Sequence, residues 1–237
     1  MKKKRKRGKK REKIPIKHWS HSSLMAFLRN PLAWYKRYVE EIYDTPTTPA
    51  AVVGSAGHAA LEHFYNNAGK EVAIQKGLAY LRGVANFEID FGKAKSRLAK
   101  RKKRKAMEQE YLRAISYYLA RPPRHKVLGV EVRGVAEVEG LSLPIKAISD
   151  LVVESKIEKG AVDIVDHKFV ASFSKEGSAK SLFAIQAIFN YYTVRELFGK
   201  SVNDAELVMP VRALAARLMT LTAHVIRIDT TVKNLGG

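Results

Sequence analysis

The sequence contains no cysteine among its 237 residues. Disulfide bonds, zinc–thiolate sites and iron–sulfur clusters are therefore excluded, and this absence is typical of intracellular proteins. No apolar run reaches the length that predicts a membrane-spanning helix, and the charged N-terminal stretch has no apolar segment of the secretory kind. We therefore expect a cytoplasmic protein of a bacterium, an archaeon or a phage, and a nuclear one only if the source is eukaryotic.

Acidic residues are also scarce, since 23 aspartates and glutamates stand against 43 lysines and arginines. The net charge of +20 predicts a polyanionic partner, most often nucleic acid, with solubility alone as the alternative. One basic block lies within residues 1–16, for which we expect a disordered tail. For the second block we predict phosphate contacts, with a solvated helix face as the alternative. Its residues are Lys100, Arg101, Lys102, Lys103, Arg104 and Lys105.

The first half of the chain has helical periodicity. A linker at Thr45–Ala50 precedes a predicted helix from about Val52 to Asn67. Residues 70–122 are predicted to be a helical basic insertion that ends at two prolines, Pro122-Pro123. We expect residues 17–237 to form a single domain that includes this insertion.

After the prolines the pattern alternates, as it does in strands. Three antiparallel strands are predicted, one around Leu128 and the others at Pro144–Val153 and Ala161–Val170. A helix follows at Ser181–Phe198, and Ala205–Val211 could be a fourth strand. Thereafter the sequence looks helical and then strand-like, and it assigns no role to residues 205–237.

The third predicted strand carries the pattern that points to chemistry. Asp166 and Lys168 lie on one face, because side chains alternate along a strand. A carboxylate and an ammonium at the end of an apolar strand are unfavourable there unless paired or bound. Asp150 closes the preceding strand, so that Asp150, Asp166 and the backbone carbonyl of His167 could together bind one Mg²⁺ ion, and Glu131 could add a carboxylate. With Lys168 to orient water, this set suits phosphodiester hydrolysis; a surface Asp–Lys pair is the alternative.

The order of the motifs resembles the PD-(D/E)XK nuclease superfamily, in particular its RecB-type exonuclease branch. The resemblance runs from about Trp19 to Phe198. The matching residues are Ser20-His21-Ser22-Ser23-Leu24 with Asn30-Pro31, then Gly54-Ser55-Ala56-Gly57-His58, Glu131, Ala147-Ile148-Ser149-Asp150, Asp166-His167-Lys168 and Gln186.

The resemblance implies a restriction-endonuclease-like αβββαβ core, a mixed sheet flanked by helices, here with an added helical lobe. It also implies cleavage of DNA that depends on Mg²⁺ or Mn²⁺. By match, Asp150, Asp166 and His58 are expected to bind the metal, Lys168 to be the catalytic lysine, and Gln186 to position the site or the DNA. Possible auxiliary residues are Glu131, Glu62 and Tyr191.

The chain departs from the family pattern in three places. Asn30 stands where many relatives have a cysteine, which excludes the iron–sulfur members. The tyrosine expected four residues after Gln186 is displaced to Tyr191. No helicase motif is present, so that we expect a nuclease that acts alone or with a helicase or recombinase partner in recombination, repair or phage DNA processing. The alternatives are a non-catalytic nucleic-acid-binding protein with the same fold and a basic RNA-binding scaffold.

Overall fold

The structure is a computed structural model and describes residues 15–156, 159–169, 178–199 and 221–228. Residues 1–14 of the predicted tail lie outside the described residues, as do the predicted strand at 205–211 and residues 213–220 of the helical stretch that follows it. Within the described part of the chain, no helix is both long and apolar enough to cross a membrane.

Three helices follow a short strand at the start of the described chain. Their bounds are Trp19–Ser20 for strand β1, His21–Arg29 for helix α1, Pro31–Tyr38 for α2 and Pro49–Tyr65 for α3. The α3 helix begins three residues before the predicted start, inside the predicted linker. The reason is local: the Thr48 side chain accepts the backbone N–H of Ala51, and the proline at the first helical position needs no donor of its own.

The predicted helical insertion consists of two long helices joined through a short 3-10 turn. Helix α4 spans Lys70–Gly83, the turn spans Asn86–Glu88, and α5 spans Arg97–Ala120. From Met107 onward, α5 buries one side against α3 and α4. The buried residues of that side are Met107, Tyr111, Ile115 and Leu119.

Four further strands follow these helices and complete a mixed sheet that includes β1, with one helix inserted before the last strand. The elements are β2 at Val127–Ala136, β3 at Ile145–Glu154, β4 at Val162–Phe169, α6 at Ser178–Phe198 and β5 at Leu221–Ile228. Strands β2, β3 and β4 are sequential antiparallel neighbours, and β5 pairs antiparallel with β4. This α/β arrangement confirms the expected restriction-endonuclease-like core.

Strand β3 changes its partner along one edge. Near its start, Ile145 pairs with Trp19 of β1 in parallel, whereas its second half pairs with β4 from Leu151 onward. The opposite edge is occupied by β2 along most of its length. Within the described residues, positions 147–150 therefore have no strand partner on the first edge. This opening in the sheet is where the candidate site lies.

The sheet is covered on both faces. Val152 and Ile164 pack with Tyr191 and Val194 of α6 on one face. Val165 packs on the other face with Tyr65 of α3. Alternate residues of β4 therefore face α6 on one side and the α3–α5 helices on the other.

Candidate active site

Asp150 and Asp166 lie where β3 and β4 separate. The last regular pair between the strands is Leu151 with Val165. The pairing therefore ends one residue short of Asp150 on β3 and one residue short of Asp166 on β4. In place of the next ladder bond, the backbone N–H of His167 donates to Asp150 Oδ2 over 2.6 Å. The carboxylate of Asp150 thus replaces a backbone acceptor, which holds it at the opening of the sheet.

Asp166 is held by two side-chain donors. Lys168 Nζ lies 2.9 Å from its Oδ1 and 2.8 Å from its Oδ2. Gln186 Nε2 of α6 donates to Oδ1 over 3.0 Å. Only 4% of Asp166 is exposed, and burial together with the charge of Asp150 raises the pKa of Asp166, although the Lys168 ammonium opposes that shift. The three side chains form one network around a buried carboxylate.

His58 reaches the opening from α3. Its Nδ1 lies 3.4 Å from Asp150 Oδ1. Burial alone would lower the pKa of His58, but the hydrogen bond and the charge of Asp150 outweigh it, so the pKa is raised. Burial alone would raise the pKa of Asp150, but the same contact with His58 and the nearby His167 lower it. The pair therefore favours its charged forms.

Glu131 supplies a second carboxylate beside Asp150. On β2 it lies opposite Asp150, between the pairs Val130–Leu151 and Val132–Ser149. Its backbone φ is 48°, a left-handed conformation that is strained for a glutamate and is characteristic of functional sites. Burial first, and then the charge of Asp150, raise the pKa of Glu131.

The potential ligand atoms of His58, Glu131 and Asp150 all lie within 4.8 Å of one another. Two carboxylates and one imidazole suit a divalent cation, so the residues present fit the metal that the resemblance implies. Asp166 lies beside this group, and its oxygens accept from Lys168 and Gln186 instead. The structure therefore gives Glu131 a more central position than the auxiliary one expected from sequence. The position of Glu131 opposite Asp150 in the predicted hairpin is the feature of the sequence that could have identified it as a ligand.

The His167 ring lies on the opposite face of the sheet from Asp166. It is 1% exposed, and burial lowers its pKa to about 4, so the ring is neutral. Its Nε2 lies 3.0 Å from the hydroxyl of Tyr118 on α5, and that hydroxyl is hydrogen-bonded to the hydroxyl of Tyr65 on α3. Sequence reasoning missed both tyrosines, because they are far from His167 along the chain and carry no motif.

Two of the predicted auxiliary residues are peripheral to this cluster. Glu62 lies one turn after His58 on α3, is exposed, and acts on Glu131 through its charge. Tyr191 is buried in the core cluster with Val152 and Ile164.

The predicted phosphate-binding run lies in the first half of α5. Lys100 is half-buried, with Nζ 5.9 Å from the centre of the Phe91 ring. Arg104 differs from the others because its guanidinium turns inward, donating to the carbonyls of Leu81 and Val84 and to Asn86 Oδ1. Arg104 therefore satisfies acceptors at the end of α4. The remaining four side chains of the run are exposed to solvent. Those four are Arg101, Lys102, Lys103 and Lys105.

Comparison with known proteins adds one finding. A family model of the PD-(D/E)XK nuclease superfamily matches residues 18–227, which include every residue of the site described above. No curated protein and no solved structure matches the chain significantly.

Proposed function

The chain belongs to the PD-(D/E)XK nuclease superfamily, and from that premise we propose that it is a deoxyribonuclease that uses Mg²⁺ or Mn²⁺. The observation that carries the proposal is the convergence of two groups at one opening in the sheet. One is the cluster of His58, Glu131 and Asp150, and the other is the network of Lys168 and Gln186 on Asp166. These are the parts that phosphodiester hydrolysis requires.

A divalent cation, when bound, supplies neutralisation of the phosphate and acidification of a water molecule. His58, Glu131 and Asp150, with Asp166 and the backbone carbonyl of His167 beside them, would hold it. Because imidazole suits Mn²⁺ better than it suits Mg²⁺, the donor set favours Mn²⁺ when the two ions are compared at equal concentration.

Lys168 is the residue we assign to the attacking water and the reacting phosphate. Its side chain is 22% exposed, so that its ammonium can be approached from solvent while Asp166 fixes its position. There it orients the water and stabilises the negative charge that develops on the phosphate oxygens. Gln186 prevents Asp166 from rotating away, because it binds the same oxygen as Lys168.

The exposed cations of α5 extend the DNA-binding surface beyond the reacting bond. Arg101 precedes Tyr118 by 17 residues on this helix, which corresponds to about 25 Å along its axis. At 3.4 Å per nucleotide, a strand that follows α5 spans about seven nucleotides between Arg101 and the Tyr118 end of the helix. A cavity of about 870 Å³ beside Arg101 is lined also by Arg97 and by the ion pair of Arg82 with Glu108.

The finer assignment follows the RecB-type resemblance. We propose an exonuclease, cytoplasmic in location, that acts on DNA in recombination, repair or phage DNA processing, alone or with a helicase or recombinase partner.

The test is cleavage of end-labelled linear duplex, single-stranded DNA, closed circular DNA and RNA, with Mg²⁺, Mn²⁺ or EDTA. Lys168→Ala is the diagnostic variant. Lys126→Ala is the control, since Lys126 forms an exposed ion pair with Glu154 at the far end of β3. We expect cleavage of linear DNA that requires the metal, is retained in the Lys126 variant and is lost in the Lys168 variant. DNA binding without cleavage under any metal condition would favour a non-catalytic binding protein, and cleavage restricted to RNA would refute the deoxyribonuclease.

A further inference from the structure

A buried chain of hydrogen-bonding groups connects the helical lobe to Asp150. Tyr65 on α3 and Tyr118 on α5 share a hydrogen bond between their hydroxyls, and Tyr118 contacts His167 Nε2 over 3.0 Å. The other ring nitrogen, His167 Nδ1, lies 3.7 Å from Asp150 Oδ2 and has no hydrogen-bond partner within normal distance among the described residues. The backbone N–H of the same histidine donates to that oxygen. One histidine therefore presents two nitrogens to one carboxylate.

One assignment of donors and acceptors is favourable for this series of hydrogen-bonded side chains. Asp150 as a carboxylate accepts only, so the nitrogen that faces it is best protonated. A neutral imidazole with hydrogen on Nδ1 must accept at Nε2, which requires Tyr118 to donate. Tyr118 can then accept from Tyr65. In this order the Tyr65 hydroxyl donates to Tyr118, the Tyr118 hydroxyl donates to His167 Nε2, and the hydrogen on His167 Nδ1 faces Asp150.

We propose that Tyr118 is a positioning residue for Asp150: by donating to His167 Nε2, it fixes the ring as the Nδ1–H tautomer, which directs a second donor at the metal-binding carboxylate. The inference rests on the proposed function, since it assigns Asp150 to metal binding. Through this contact, the helix that carries the exposed cations also supports the site. Groups that orient a metal-binding carboxylate typically change metal affinity or activity by about 10- to 100-fold when removed.

The same helix provides a matched control. Tyr111 lies two turns before Tyr118, is fully buried, and donates its hydroxyl to the backbone carbonyl of Ile74 over 2.7 Å. Its hydrogen bond leads into the helical lobe and makes no contact with the site. Tyr111→Phe and Tyr118→Phe therefore each remove one buried hydroxyl from one helix, and only the second removes a donor to His167.

The first measurement is the metal dependence of cleavage for the wild type and both variants. We expect Tyr118→Phe to raise the Mn²⁺ concentration for half-maximal activity by about tenfold or more, with the KM for DNA unchanged. Tyr111→Phe should lower the melting temperature without this shift. Tyr65→Phe leaves Tyr118 free to donate to His167 and should therefore shift the metal dependence less than Tyr118→Phe does. Equal metal dependence in the Tyr118 and Tyr111 variants would show that Tyr118 only packs.

A second measurement does not depend on catalysis. Nitrogen-15 NMR of histidine-labelled protein distinguishes the two neutral tautomers of His167, and electron paramagnetic resonance measures Mn²⁺ binding without DNA. We expect the Nδ1–H form in the wild type and in Tyr111→Phe, and a mixture with weaker Mn²⁺ binding in Tyr118→Phe. The Nε2–H form in the wild type would overturn the proposal. If the wild type cleaves nothing, the deoxyribonuclease assignment fails, whereas the tautomer and Mn²⁺ binding still decide the role of Tyr118.

Discussion

The aromatic ring of Phe169 occupies the space in which a side chain at Gly57 would lie. A Cβ built on Gly57 would fall 2.0 Å from a carbon of that ring. Phe169 is the last residue of β4 and follows Lys168, while Gly57 precedes His58 on α3. The close approach of helix and strand therefore brings His58 to within 3.4 Å of Asp150.

Gly57→Ala should lower the stability of the protein and weaken its activation by metal, whereas Gly54→Ala should do neither. Both glycines lie inside α3, where alanine favours the helix by about 1 kcal/mol. A Cβ at Gly54 meets no atom of the described residues within 4 Å, so that we expect a small gain in melting temperature and unchanged activity. At Gly57 the ring must move, which typically costs about 1–3 kcal/mol and displaces His58. Thermal unfolding and metal-activation curves test both variants, and an unchanged metal requirement in Gly57→Ala would contradict this account.

Glu131→Gln should weaken metal binding, because it removes one of the two carboxylates in the cluster of His58, Glu131 and Asp150. We expect the Mn²⁺ concentration for half-maximal cleavage to rise by about tenfold or more. Glu62→Gln removes a charge of the same sign at the exposed margin and should have a much smaller effect. Calorimetric titration with Mn²⁺ in the absence of DNA measures both. Equal effects of the two substitutions would mean that Glu131 acts only through its charge.

Substitutions of Gln186 should lower kcat in a fixed order. Gln186→Ala removes one of the donors to Asp166 Oδ1, and a hydrogen bond to a charged group contributes about 1.5–3 kcal/mol, which corresponds to about 10- to 100-fold. Gln186→Glu should lower kcat further, since it places a second carboxylate where the donor lay 3.0 Å from Asp166. Single-turnover cleavage at saturating DNA measures the loss. Full activity in the glutamate variant would exclude the proposed contact.

Arg101→Ala and Arg104→Ala should separate DNA affinity from stability. Arg101 is exposed on α5, so that its loss should weaken DNA binding and reduce the slope of log affinity against log salt by about one. The effect should disappear on duplexes of about six base pairs, which are too short to span the roughly 25 Å from Arg101 to Tyr118. Arg104→Ala should mainly lower the melting temperature, because its guanidinium binds carbonyls at the end of α4.

These DNA affinities are best measured in EDTA or in the Lys168→Ala background, so that cleavage does not shorten the ligand. Equal loss of affinity on short and long duplexes in Arg101→Ala would place the contact at the reacting end of the DNA instead.

The sequence by itself predicted helices α3 to α6 and strands β2, β3 and β4 in their order, and it indicated Asp150, Asp166, Lys168 and His58, because these follow from local periodicity and from short motifs. It did not predict strand β1, and it assigned no role to the residues that form β5. It also predicted Gln186, whose side chain the structure places on Asp166. Local signals determine such features because they depend on neighbours within a few residues.

The tertiary structure alone decided which groups meet. The left-handed backbone of Glu131, the inward turn of Arg104 and the contact of Tyr118 with His167 each depend on residues distant in the chain. A basic residue in a lysine-rich run has no local feature that distinguishes an exposed cation from one that caps a neighbouring helix. Only the packing of α5 against α4 and against the sheet makes that distinction, because hydrogen-bond partners are set by proximity in space.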